Sequence, residues 1–190
     1  KFVSSSTRII AVVKANAYGH GVEPVSRSLL DCGIIDFAVA TLDEAVDLRR
    51  SVPEGKLLVL QGCLAGEEEA FREHNLTAAL HDLQRLPGNI KIEVKINTGM
   101  TRLGISWKEA HSQIRELQAE ITGLYSHFAS SDDDPDFTRL QLERFEEATA
   151  DLPYPRHISN SAGLQFPEQG RDLHEVGSRT RHNYDFRLLT

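Results

Sequence analysis

An apolar run near the start of the chain ends in Lys14 and passes into Ala15, Asn16, Ala17, Tyr18, Gly19, His20 and Gly21. A lysine among small residues, where a strand meets the open end of an apolar core, offers an amine that can form a Schiff base with an aldehyde. The ordinary alternative is a lysine that snorkels from a strand end. Arg102 sits in the glycine-bracketed stretch 97–104, and His127 closes another apolar run with a ring able to stack on a flat ligand or to titrate. Asn160 and Ser161 follow a third run, where hydroxyls and backbone N–H groups at a helix start suit a phosphate. Each again has a plain alternative: a surface arginine, a core histidine, a helix cap. What joins them is position, because each falls at the C-terminal end of a different candidate strand.

The elements that must position these residues follow from the hydrophobic pattern. Candidate strands cover 9–13, 37–40, 57–60, 78–81, 92–96, 121–126 and 157–159. Helical spacing runs over 23–30, 42–50, 67–73, 107–117 and 137–152, with a short turn at 83–86. Short apolar runs alternating with helical stretches mark strand–helix units on a parallel sheet. About seven such units are one short of a (β/α)8 barrel of the TIM-barrel type, in which the working groups come from the C-terminal strand ends. The expected fold is therefore α/β, an incomplete barrel, with an open doubly wound sheet as the competitor. The fifth strand alternates Ile92, Val94 and Ile96 with Glu93, Lys95 and Asn97, so the barrel interior is expected to receive charged groups that need partners. Thr41 ahead of Asp43 and Glu44, and Ser106 ahead of Lys108 and Glu109, read as helix starts, and Gly33 as a helix stop. The acidic stretch 130–136, containing Pro135, reads as a surface loop before the longest helix.

Composition narrows the function classes. The 190 residues are 40% hydrophobic and 26% charged, as in a soluble domain with a sizeable core. A formal net charge of −7 with scattered basic residues argues against nucleic-acid binding as the main task. Cys32 and Cys63 form no C-x-x-C pair, which disfavours a disulfide scaffold or a structural metal site and fits a reducing cytoplasm. No stretch approaches the roughly 20 apolar residues of a membrane helix, and residues 1–8 lack a signal-peptide core.

The segments AVVKANAYGHG at 11–21, KINTGMTRLG at 95–104, SHFA at 126–129 and SNSAG at 159–163 resemble bacterial alanine racemase, as do FAVATLDEAVDLR at 37–49 and EHNLTAALHD at 73–82. The resemblance implies an enzyme that interconverts L-alanine and D-alanine for peptidoglycan, using pyridoxal 5'-phosphate bound to Lys14 as a Schiff base. It further implies that Lys14 exchanges a proton on one face of the substrate and that Tyr18 bonds the cofactor phosphate. Arg102 would bond the phenolic oxygen, His127 would lie against the ring, and Asn160 and Ser161 would reach the phosphate. Lys95 would be the lysine often carbamylated in this family, an anion in place of a buried cation. A second base, a tyrosine of a C-terminal β-domain supplied across a homodimer interface, is also implied, and nothing in this chain matches it.

The family pattern stops after Val176: the stretch 177–190, GSRTRHNYDFRLLT, has neither the alternation nor the arginine and glycine motif of the last strand. The sequence therefore divides into a partial barrel domain, 1–176, and an atypical tail, 177–190. It reads as a piece cut at both ends, and it is expected to be poorly stable and nearly inactive alone. The rival functions are another enzyme of the same cofactor fold, such as a serine racemase or a decarboxylase, and a non-catalytic barrel that carries pyridoxal phosphate. Arg102 within TGMTRLG favours the alanine enzyme over the decarboxylases.

Overall fold

The computed structural model describes residues 8–163 and the backbone of Leu173–Gly177. Its strands are β1 (Arg8–Val12), β2 (Asp36–Val39), β3 (Leu57–Val59), β4 (Thr77–Leu80), β5 (Lys91–Asn97), the short β6 (Ile105–Ser106), β7 (Glu120–Tyr125), β8 (Arg156–His157) and β9 (Leu173–Gly177). The helices are α1 (Val22–Asp31), α2 (Leu42–Ser51), α3 (Glu68–Glu73), α4 (Trp107–Glu116) and α5 (Pro135–Ala148), with a 3-10 turn at Leu83–Arg85. All the strands and helices expected from the sequence are present, displaced by a residue or a few at their ends.

Every strand pairing is parallel, and the pairs run β1–β2–β3–β4–β5–β7–β8–β9 and back to β1. The architecture is that of an incomplete (β/α)8 barrel, with eight strands in the ring and five helices among the described residues. The sequence reading left the row of strands open at two edges. β9 joins those edges, pairing Arg8 through Val12 of β1 with its own five residues and Leu173 with His157 of β8. Nothing local in Leu-His-Glu-Val-Gly announces a strand; two unsatisfied neighbours supply the hydrogen-bonding partners that make it one. The stretch 178–190, the greater part of the expected tail, lies outside the described residues.

The ring is covered by helices on its outer face. Ala11, Phe37, Val39, Leu57, Val59, Ile92 and Val94 point outward and join Leu48, Phe71, Ile114 and Phe145 of the helices in one core. Burying each of the large side chains contributes roughly 1.5–3 kcal/mol. Residues of opposite parity, Ile10, Ala38, Leu58, Ala79 and Tyr125, form a separate cluster inside the ring. The helix signals have mixed outcomes. Thr41 and Glu44 form a reciprocal capping box on α2, and Gly33, at φ +80°, ends α1 with Gly33 N–H to Leu30 O and Ile34 N–H to Leu29 O. Ser106 occupies the cap position of α4 without a side-chain cap bond. The acidic loop supplies the start of α5: Asp134 accepts from Phe137 N at 2.9 Å, and Pro135 is the first helical residue. Among the described residues no helix is long and apolar enough to cross a membrane.

Candidate active site

The C-terminal ends of the strands surround a cavity of about 510 Å³. Lys14, Tyr18, Lys95, Arg102, His127, Asn160 and Ser161, all seven singled out from the sequence, line it together with Val12, Ala40, Leu60, Gln61, Leu103, Tyr125 and Ala162. Among the described residues the lining contains three cationic side chains, Lys14, Lys95 and Arg102, and no carboxylate. Such a mouth attracts an anion before any specific contact is made.

Lys14 leaves β1 in a turn of unusual hand. Ala15, Asn16, Ala17 and Tyr18 have φ of 52°, 54°, 53° and 55°, a left-handed run that costs roughly 1–2 kcal/mol per L-residue. Neighbours hold it in place: the Glu44 carboxylate accepts from Ala15 N at 2.8 Å and from Ala40 N at 2.7 Å, Asn16 Oδ1 accepts from Val22 N at 2.7 Å, and Ala17 is buried. The run turns back at Gly19, φ +87°. Strain held by its surroundings is a mark of a functional segment. Glu44 was legible as a helix-start acid and its second bond, to the Lys14 turn, was not.

Lys95 is 7% exposed on the inner face of β5, with Nζ 5.1 Å from the centre of the Tyr125 ring. The Arg102 loop is shaped by Asn97, whose Oδ1 accepts from Gly99 N and Thr101 N at 3.1 and 3.0 Å. Its two glycines are needed for different reasons. A Cβ on Gly99 would come within 2.8 Å of Phe137 on α5, and one on Gly104 within 2.8 Å of the Lys95 carbonyl. Asn160 uses its Oδ1 to accept from Gly163 N and Ser131 Oγ, both at 2.8 Å, so any bond to an anion falls to its NH2 group.

His81, just past β4, escaped the sequence reading. Its Nε2 donates to the Leu60 carbonyl at 2.8 Å and so holds the β3 end that lines the cavity. Burial lowers its pKa, the bond to Leu60 opposes that, and the charges of Lys95 and Arg102 lower it further. Below the mouth, inside the ring, Glu93 Oε2 lies 2.8 Å from His157 Nε2 and Glu93 Oε1 pairs with Lys56, all three groups being buried or nearly so. Tyr125 stacks on His157 at 5.0 Å between ring centres. Burial alone would raise the Glu93 pKa; the charges and hydrogen bonds of His157 and Lys56 outweigh it and lower the value.

Fold and mouth together define a (β/α) barrel domain whose first strand delivers a lysine into a cationic cavity. The sequence profile of the alanine racemase N-terminal domain matches residues 1–179, and the chain belongs to that family. It is 37% identical over 199 residues to the alanine racemase of Symbiobacterium thermophilum, with 93% of this chain and 53% of that protein covered. It is 42% identical over 167 residues to the alanine racemase of Aquifex pyrophilus, covering 84% and 47%. The biosynthetic alanine racemase of Pseudomonas aeruginosa superposes with a TM-score of 0.77 at 31% identity, over 90% of this chain and 52% of that one. The Clostridium difficile 630 alanine racemase complexed with cycloserine superposes at 0.86 and 23% identity, covering 99% and 59%, a likeness of fold. The chain spans about half the length of the relatives it matches.

Proposed function

We propose that this chain is the cofactor-bearing barrel of an alanine racemase, a pyridoxal 5'-phosphate enzyme of the bacterial cytoplasm that interconverts L-alanine and D-alanine for peptidoglycan. The observation that carries the reading is the convergence of Lys14, Lys95 and Arg102 on one cavity at the strand ends, with no carboxylate among the described residues of its lining. The donor set suits this cofactor, which brings a phosphate, a phenolic oxygen, a flat ring and an aldehyde. When bound, it supplies an electron sink that makes the substrate Cα proton labile.

The remaining work belongs to the protein. Lys14 would hold the cofactor through its amine, and once the substrate amine had displaced it from the aldehyde carbon, that freed amine would take and return the Cα proton on its own face. Tyr18, Ser161 and the Asn160 amide group would hold the phosphate, and His127 and Arg102 would serve the ring and the phenolic oxygen. Val12, Leu60 and Leu103 supply the apolar part of the cavity wall. Carbamylation of Lys95 would place an anion opposite Arg102 and remove a buried cation. The opposite face of the substrate needs a second base, and the family resemblance assigns it to a tyrosine of the partner subunit in a homodimer.

The test is an absorbance titration of the purified chain with pyridoxal phosphate, before and after borohydride, beside Lys14→Ala. The expected result is a bound-imine band that borohydride traps in the parent chain and that Lys14→Ala abolishes. A band of equal strength in Lys14→Ala would remove the reading, and so would saturation with no band in the parent.

A further inference from the structure

Two contributors to the mouth, the Arg102 loop and the segment after β7 that bears His127, are tied to one side chain that does not line the cavity and is buried from solvent. Gln141, on α5, is fully buried. Its Nε2 donates to Thr98 Oγ1 at 3.1 Å and to the His127 carbonyl at 3.1 Å, and its Oε1 accepts from Ala129 N at 2.9 Å. The Ala129 N–H fixes which end of the amide is oxygen. The same chain of bonds continues in one direction. Ser126 Oγ donates to the Ile96 carbonyl at 2.7 Å, so its hydrogen is used, and the 2.8 Å contact with Thr98 must have the Thr98 hydroxyl as donor. Thr98 then has its lone pairs free to accept from Gln141. A second residue of α5, Arg144, donates to the Thr98 carbonyl at 2.9 Å.

We propose that Gln141 is a positioning residue that fixes the Arg102 loop and the His127 strand end as one unit, setting the spacing of the two side chains across the mouth. Thr98 opens the loop that carries Arg102, and His127 and Ala129 follow the end of β7, so a displacement of the amide moves both sides of the cavity. Glutamate cannot replace it without loss. It is isosteric and keeps the bond from Ala129, but it turns the donor to the His127 carbonyl and to Thr98 into an oxygen facing oxygens. As far as it concerns cofactor binding, the proposal rests on the function proposed above.

The experiment compares the parent chain, Gln141→Glu and Thr98→Val by hydrogen–deuterium exchange with mass spectrometry, without cofactor, and then by titration with pyridoxal phosphate. Loss of a buried donor of this kind corresponds to about 10-fold faster local opening. The expected result is that amides of 98–104 and of 127–130 accelerate together, by about that factor, in both variants. Cofactor affinity should fall by a similar factor while trapping at Lys14 persists. Acceleration in only one of the two segments, or only within α5, would overturn the proposal. Parent-like exchange in the variants would do so as well. If Gln141→Glu fails to fold, Thr98→Val decides alone, since it breaks the same bridge from the other side. A parent chain that takes up no cofactor defeats the proposed function, while the exchange pattern still decides the role of Gln141.

Discussion

Strands β1 to β4 line the inside of the ring with Ile10, Ala38, Leu58 and Ala79, whereas β5, β7 and β8 line it with Glu93, Lys95, Tyr125 and His157. Apart from the buried Asp36, which pairs with Arg8 and accepts from Lys56 N, the apolar half is held by burial, which is non-directional and proportional to area. The polar half is held by pairs. Glu93 meets Lys56 and His157, His157 stacks on Tyr125, and Tyr125 receives the Lys95 ammonium, so a column of partners climbs from the closed end of the barrel to the mouth. Space for it is cut from the neighbouring strand: a Cβ on Gly123 would lie 2.7 Å from Glu93 Oε1. The apolar half can absorb a change of shape, while the polar half fails when one member is removed, because the others stay behind as buried charges.

Glu93→Ala gives the sharpest contrast. It should cost about 3–5 kcal/mol in a denaturant melt, since it strands Lys56 and His157. A loss near that of an apolar truncation would mean the two halves do not differ. Acid acts on the same pair without a mutation. Because the folded Glu93 pKa is lowered, its contribution is complete above the ordinary carboxylate value of about 4.3 and fades as pH falls through the folded value. His81, lowered chiefly by burial, takes up a proton more readily in the unfolded chain, so stability should already slip as pH drops below about 6.5. A melting temperature that is flat from pH 7 to pH 3 would contradict both signs. At the small end, Ile10→Val in the apolar half should cost only about 0.5–1.5 kcal/mol, and a much larger loss would show that half to be as exacting as the other.

The sequence displayed the parity of β5, with Glu93 and Lys95 on the face opposite Ile92 and Val94, because alternation is a local property. Lys14, Arg102, His127 and Asn160 were legible as strand-end residues for the same reason. Their meeting in one cavity depends on the ring of pairings, and there the sequence is weaker: β9 has no pattern of its own and exists through β1 and β8. The pairing of Glu93 with His157 spans 64 residues and could not be read from either segment. Gln141 was hidden for a related cause, since a glutamine on an amphipathic helix reads as surface until the helix is laid against Thr98 and His127. The left-handed turn after Lys14 was missed because Ala15 and Ala17 carry no backbone signal, unlike the glycines that follow.

That turn has a thermodynamic consequence. Four residues in the left-handed region cannot persist in an unfolded chain, so the lysine is presented in its working pose only by the finished corner of β1, β2 and α2. A ligand that needs Lys14 in that pose therefore favours the folded state over the unfolded chain. For a ligand with no affinity for the unfolded chain, that preference adds to the stability of the whole domain as RT ln(1 + [L]/Kd), about 2.7 kcal/mol at a hundredfold excess over Kd.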